Sequence, residues 1–573
     1  MPQKGKEDMV SKRLDISVKD LEGPVIDRRT TMKLLGAAGV GGLSGCLGSD
    51  DGSDGSDGSD GSDGSDGRSG ERYGGRLQAA WNVAQLDNLD PHRAELTQFK
   101  FIFGNYFSGL TEVADDFTLQ GDLASDWTVE DGGQTIIFDL VENATFHNGD
   151  EVTAEDIQYS LNRVVESDVS VHGDKLSVLS TPIEGEGVVV EDDYRLRLNL
   201  EQPFAPIFMN LTPNVAPSGA IVSQSAIDEM GESEYNLQPV GSGPFKIVGH
   251  ELGTELSADA HTEYHQTDSD GNPLPYLDGL DVMPLQEPQS RVSAIQTGEV
   301  DYVSLIPAAQ ADQLEESPEV ELESRLGPNF GGLGFNNEAE PFTDERVRMA
   351  AAKAIDNELY VEETFLGYGA ADTSIYNPVI DWVYREEYGE ADDQKPEDQL
   401  YDPEGAQELA EEAGAMDLEV TMTVAQPELR GARVMRNMLQ ETLGWEIELD
   451  QLDFPTLFER AANGNFVFMP WGNSTVPEPD LTVSSDFGPL GEAAQNWWNY
   501  YPDDHAELVQ QQRQELDQEA RKEMLWEIED KLIERAVWAF IEHQVALSVR
   551  RPAMKNYFHH GPIKRFRSVY LEE

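Results

Sequence analysis

Three groups of side chains in this 573-residue chain have the types and spacing to do chemistry. His261-Thr262-Glu263-Tyr264-His265 sets two imidazoles four residues apart, the spacing at which one helix face could offer both to a metal ion. A zinc hydrolase needs His-Glu-x-x-His, and the order here differs. Asp268-Ser269-Asp270-Gly271-Asn272 has acidic alternation, but its glycine is misplaced for a calcium loop. Both segments read as surface loops, so no metal ligand is assigned. The third group is aromatic. Phe468-Met469-Pro470-Trp471-Gly472-Asn473-Ser474-Thr475 and Trp497-Trp498-Asn499-Tyr500 set indole rings beside amides and hydroxyls, and Trp382 follows Pro378. Paired Trp near amide side chains suits stacking on a sugar or a flat apolar group. Core packing accounts for such residues equally well.

Covalent catalysis finds little support. The chain has one cysteine, Cys46, so it forms no intramolecular disulfide and no cysteine metal cluster. It has no Gly-x-Ser-x-Gly elbow and no His-Glu-x-x-His. Only paired carboxylates, among 109 acids, keep a hydrolase open. No catalytic residue and no cofactor is assigned.

The acids dominate the composition. Asp plus Glu number 109 against 40 Lys plus Arg, a formal net charge of −69. Residues 1–45 hold eight Lys/Arg against six Asp/Glu, so the excess lies in the rest. Such a load repels nucleic acid and anionic membrane surfaces, and in dilute buffer it opposes compaction. In molar salt the Debye length falls to about 3 Å, which removes most of that repulsion. Nine Trp, 22 Phe and 18 Tyr are too many for a disordered acidic chain. An acid-rich, lysine-poor, folded chain resembles the proteins of extreme halophiles.

Arg28-Arg29, Lys33 and the mild apolar run Leu34 to Gly45 precede Cys46. A run of that length is too short to span a bilayer, which takes ~20 residues, and fits a signal-peptide core. The twin arginines resemble a Tat signal, although Asp27, Thr31 and Met32 depart from its consensus and leave the Sec route open. Leu43-Ser44-Gly45-Cys46 resembles a lipobox, which implies that Cys46 is lipidated and becomes the mature N-terminus. The expected division is 1–45 signal peptide, 46–70 lipidated cysteine with an Asp-Gly-Ser linker, and 71–573 folded body. The linker is flexible through Gly and Ser and extended by like charge.

The elements that must position the aromatic groups are legible in part. Ile136, Phe138 and Leu140 alternate as a half-buried strand after a turn at Asp131-Gly132-Gly133. Asn148-Gly149 reverses the chain. Thr153 and Asp156 pair as a capping box, opening a helix whose apolar face is Ile157, Leu161, Val164 and Val165. Residues 194–200 alternate as a strand. Asp402 caps a helix with Pro403 at its first position. Strand 418–425, a helix near 428–443 and strand 445–452 predict a βαβ unit.

The order of these pieces resembles the peptide/nickel class of extracytoplasmic solute-binding proteins, solute-binding protein family 5, the receptors of ABC importers. Leu123-Ala124-x-x-Trp127, Phe146-His147-Asn148-Gly149-Asp150 and Thr153-Ala154-Glu155-Asp156-Ile157 carry the match. Leu89-Asp90-Pro91-His92, Asn105-Tyr106-Phe107, Pro239 to Phe245, Gly334-Phe335-Asn336-Asn337 and Val569-Tyr570-Leu571 extend it over nearly everything after residue 73. The resemblance implies an α/β, periplasmic-binding-protein-like, two-lobed fold with three discontinuous domains and a hinged cleft. Domain I would combine about 71–110, 236–320 and 546–573, domain II about 111–235, and domain III about 321–545. It also implies a ligand site drawn from Trp471, Asn473, Ser474, Thr475, Trp497, Trp498, Tyr500, Trp382, Asn336 and Tyr106. Peptide binders of this type usually carry an Asp three residues after the Trp; here Ser474 or Thr475 stands there. An ammonium closed into a dry cleft without a partner costs several kcal/mol. The implied function is a non-enzymatic, monomeric, lipid-anchored receptor outside the cytoplasmic membrane. It would pass a peptide-like solute or an oligosaccharide to ABC permease subunits with cytoplasmic ATPases. A secreted hydrolase and a solute sensor without transport are the alternatives.

Overall fold

The stretch from 123 to 165 folds as its pattern dictates. In the computed structural model, Ala124–Glu130 and Thr135–Leu140 form an antiparallel pair around the turn Asp131–Gly133. Ile136, Phe138 and Leu140 are buried. The helix Ala154–Glu166 follows, and the Asp156 carboxylate accepts both the backbone N–H and the hydroxyl of Thr153, each at 2.9 Å. This pair joins Arg195–Asn199 and Val188–Asp192 in a four-stranded antiparallel sheet. The helix closes one side of it, and Phe138, Ile157, Leu161 and Leu198 form the core.

The structure describes residues 70–83, 86, 88–94, 103–114, 117–166, 169–179, 186–327, 329–385, 401–474, 477–488, 496–558 and 564–572. Arg28, Arg29, Cys46 and Thr475 lie outside these, as does the side chain of Ser474. No helix among the described residues is long and apolar enough to cross a membrane.

A 12-stranded sheet runs through both lobes. At one end Arg76–Trp81 lies between Gly279–Pro284 and Tyr302–Ser304, parallel to both. At the other, Glu419–Ala425 and Glu446–Leu452 are parallel in register Glu419↔Glu446, joined by the helix Leu429–Leu443, the βαβ unit that the alternation predicts. Asn329–Phe335 and Phe468–Ser474 complete that half. Packing separates on the two faces. Trp445, Phe468, Leu439 and Phe342 bury on one, and Phe330, Trp498, Trp538 and Phe487 on the other.

Two stretches of chain join the halves side by side. Trp538–Arg550 pairs through its first residues with Asn329–Phe335, and from Val545 onward with Glu321–Leu326. Asn329 braces the crossing, its side chain accepting from Gln544 N at 2.6 Å and donating to Gln544 O at 3.0 Å. Asn377 donates to Gly327 O and Asn329 O from the same side. A pair of adjacent connections is the arrangement from which hinge motion arises, because few residues must change φ and ψ. The lobes also touch. Ala205 N donates to Arg513 O at 2.7 Å, the Arg513 guanidinium lies 4.8 Å from the Phe204 ring, and Val379 and Leu481 pack against the opposite lobe's core.

The histidine pair departs from the surface-loop expectation. The segment is a loop, yet both side chains are interior. His261 bonds Gly243 O and Thr145 Oγ1, and His265 Nε2 lies 2.9 Å from Asp122. Together they fasten the loop to the body. Asp268 accepts from Asn272, Asp270 N and Tyr276, closing its own turn.

Candidate functional site

The strand Phe468–Ser474 is central in its half of the sheet, and side chains at odd positions share one face. Met469 is buried there, and Trp471 and Asn473 are half-buried. The helix Phe454–Ala462 begins just after the strand Glu446–Leu452 ends, with Asp453 as its cap accepting from Thr456 N. Its Leu457 and Ala461 turn inward, while Phe454 and Phe458 remain 40% and 39% exposed. Trp471 meets them edge-on, with centroids 6.5 Å from Phe454 and 5.8 Å from Phe458, and Trp497 lies 5.2 Å away. Four rings thus make a partly open aromatic shelf where the parallel strands end. Open α/β sheets bind ligands outside the carboxyl ends of their strands.

Beside the shelf stands a polar group. Asn473 Nδ2 donates to Asp486 Oδ2 at 2.6 Å, and Asp486 is buried at the end of the helix Pro479–Asp486. Burial pushes its carboxyl up to about 7, against the hydrogen bonds from Asn473 and Ser485. The nearer acids of the loop are already engaged. Glu478 pairs with Arg521, and Asp480 accepts from Ser484 and Gln512 and lies 3.3 Å from Arg513.

Of the residues that the sequence singles out, Trp471, Asn473 and Trp497 come together. Others belong to the interior. Trp498 is 1% exposed, 4.3 Å from Trp538 and 5.9 Å from Phe466, and a Cβ at Gly334 would lie 2.1 Å from its ring. Asn336 spends its amide on Gly464 O and Phe466 O, and its carbonyl on Asn499 and Glu338 N. Tyr500 accepts from Arg535. Trp382, half-buried, packs on the same core with the Arg521 guanidinium 5.7 Å from its ring. Each of these four thus has packing or hydrogen-bond partners within its own lobe. Tyr106, in the other lobe, is 2% exposed, and its hydroxyl has no hydrogen-bond partner in the structure.

Phe454, Phe458 and Asp486 were not singled out from the sequence. The two phenylalanines leave a trace, since Phe454, Leu457, Phe458 and Ala461 form an apolar stripe wider than a surface helix needs. Asp486 leaves none, being one acid among 109.

The model of bacterial extracellular solute-binding proteins, family 5 (middle), matches residues 118–493. The glutathione-binding protein GsiB of Shigella flexneri is 28% identical over 326 residues, 57% of this chain and 59% of that protein. The Escherichia coli GsiB matches equally. The chain thus aligns with less than two thirds of the length of these relatives. Among solved structures, DppA of Helicobacter pylori in complex with the peptide STSA superposes with a TM-score of 0.73 at 20% identity, covering 88% of this chain and 99% of that one. CtaP of Listeria monocytogenes gives 0.75 at 18% identity over 88% and 100%. AppA of Bacillus subtilis, in complex with a nonapeptide, gives 0.70 at 20% over 88% and 100%. With its α/β sheet, its two lobes and a family match across most of its length, this chain belongs to the extracellular solute-binding proteins of family 5.

Proposed function

We propose that the protein is a lipid-anchored receptor that captures a peptide-like solute between its lobes and delivers it to an ABC permease. Cys46 would hold it to the outer face of the cytoplasmic membrane, and the linker to residue 70 would let the body move. The body would divide as domain I, about 71–110, 236–320 and 546–573, domain II, about 111–235, and domain III, about 321–545. The observation that carries the reading is the shelf of Trp471, Trp497, Phe454 and Phe458 at the strand ends, beside a double crossing suited to hinge motion. Tyr106 would add a hydroxyl from the opposite lobe. GsiB, named for glutathione, and DppA and AppA, solved with peptides, support the ligand class.

The acid load suits molar salt, where stacking holds its strength while exposed ion pairs are screened. With Glu478 and Asp480 each engaged by arginine, the loop offers no free carboxylate to a ligand's amino terminus, and an amino-blocked or uncharged terminus fits best. A neutral contact to a hydroxyl returns only ~0.5–1.5 kcal/mol, less than desolvating an ammonium costs. Calorimetry in molar KCl with di- to pentapeptides, their acetylated forms and oligosaccharides tests this, with native mass spectrometry of the purified protein. Acetylated peptides should bind more tightly than free ones. Tight binding of free peptides that acetylation abolishes would reverse the terminus assignment, and binding of sugars alone would overturn the peptide class.

A further inference from the structure

On the face of the sheet opposite the aromatic shelf, two glycines lie side by side. Gly331 pairs with Gly472, and Gly331 also pairs with Glu542 on the strand that joins the lobes. A bulge between Gly331 and Gly332 rotates Glu542 so that its carboxylate folds over the glycine. A Cβ at Gly331 would lie 2.0 Å from Glu542 Oε1, so any side chain there would displace the carboxylate from this position. Gln544 lies alongside. Its Nε2 donates to Glu542 Oε1 at 3.1 Å, and a Cβ at Gly472 would lie 3.5 Å from it. Glu428, half-buried ahead of the helix Leu429–Leu443, and Tyr360 are near enough to disfavour charge on Glu542 and to feel it, respectively.

Acids close together are not in themselves a site. The second observation is that Glu542 is 3% exposed and its Oε2 has no hydrogen-bond partner in the structure. A buried carboxylate oxygen left unpaired is among the more unfavourable arrangements a fold can hold. Burial first and Glu428 in addition push the Glu542 carboxyl up to about 7, while Gln544 and His543 act in the other direction. One oxygen of the acid is therefore left without a hydrogen-bond donor, at the point where the strand crosses between lobes.

We infer that Glu542, with Glu428, Gln544 and Tyr360 over the Gly331–Gly472 floor, forms a subsite for an organic cation on the captured solute, a guanidinium or ammonium group. The subsite deepens the receptor reading above and rests on it. A planar cation could donate to Glu542 Oε2 and to Glu428 together, and the Tyr360 ring stem would line its side. The subsite lies on the far face from Trp471, so it selects a side chain of the solute rather than its amino terminus.

The test uses two N-acetylated tripeptide libraries that differ at one position, arginine in one and its uncharged isostere citrulline in the other. Binding is measured by calorimetry in molar KCl to the full folded body and to its Glu542→Gln and Glu428→Gln variants. The wild-type protein should hold the arginine library about ten-fold more tightly or better, as a desolvated charged pair allows. Glu542→Gln keeps shape and the Gln544 contact, and should abolish that preference, so that the arginine and citrulline libraries bind the variant alike. Glu428→Gln, at a less buried position, should weaken the preference and keeps the test open should the first variant fold poorly. Equal binding of both libraries to the wild type, or a preference that survives both variants, overturns the subsite alone. Binding of neither library overturns the peptide reading and the subsite with it.

Discussion

Asn473 donates its amide to the buried carboxyl of Asp486 across 2.6 Å, tying the strand that carries Trp471 to the helix that carries Leu481, a residue packed against the opposite lobe. One hydrogen bond thus links the aromatic shelf to the inter-lobe contact. It also places a titrating group in that link.

Asp486, and Glu529 of the helix Gln518–Glu534, which accepts from Ser374 and from Ile375 N, are held up to about 7 and about 8, chiefly by burial, from ordinary values of 3.8 and 4.5. Between those limits the folded protein keeps protons that the unfolded chain releases. Their contribution to stability is therefore complete below about pH 4 and is lost as pH rises through 7 to 8. In the acid direction Glu112, lowered to about 2 by Arg567 and Arg565 against its burial, loses its contribution as pH falls below the ordinary glutamate range. Thermal melts in molar KCl should show a maximum in mildly acidic buffer. Asp486→Asn should flatten the alkaline decline by at least about 2 °C. A melting temperature that rises steadily to pH 8 would contradict it.

Trp471 and Trp498 are separated by role. Trp471→Ala should weaken solute binding about ten-fold, since stacking adds ~0.5–1.5 kcal/mol to the area that an aromatic ring covers. Phe458→Ala should act in the same direction and less strongly. Trp498→Ala should instead lower stability by ~3–5 kcal/mol, the usual range for a large core ring. Calorimetry beside denaturant melts separates the two, and a Trp471 variant that binds normally would remove the shelf from the site.

Asn329 holds the crossing by two bonds to Gln544. Asn329→Ala takes the side-chain acceptor from Gln544 N and leaves Gln544 O with the Gly327 N–H as donor, and should destabilise by ~1–3 kcal/mol. Asn329→Asp keeps the acceptor and loses the donor, so it should fall between. Small-angle scattering should show a wider spread of lobe separations for the alanine variant, and an unchanged profile would mean that the crossing is braced elsewhere.

Dilution from molar salt should lower the melting temperature steeply. The formal charge of −69 is screened within about 3 Å at 1 M and within only about 30 Å at 0.01 M. A flat response over that range would defeat adaptation to high salt.

Cys46→Ser should leave the folded body intact and release it to the medium, because lipid chains contribute ~0.8 kcal/mol per buried CH₂ and a short signal core does not anchor. Fractionation of washed membranes decides it. Retention of the variant would show that something other than a lipid on Cys46 is the anchor.

The sequence by itself determined the local elements and the family. Ile136, Phe138 and Leu140 alternate because a strand has period two, Thr153 and Asp156 open a helix because its first amides need acceptors, and the chain between 418 and 452 reads as βαβ from its periodicity. These are short-range constraints, written in neighbouring residues. Which aromatics stay open is not. Trp497 and Trp498 are adjacent, yet one joins the shelf and the other fills the core against Trp538, forty residues on. Only the tertiary structure decided that Glu478 is taken by Arg521, that Phe454 and Phe458 stand beside Trp471, and that a bulge turns Glu542 over Gly331. Burial and pairing depend on partners from tens to hundreds of residues apart, and such separations leave no periodic mark along a single chain.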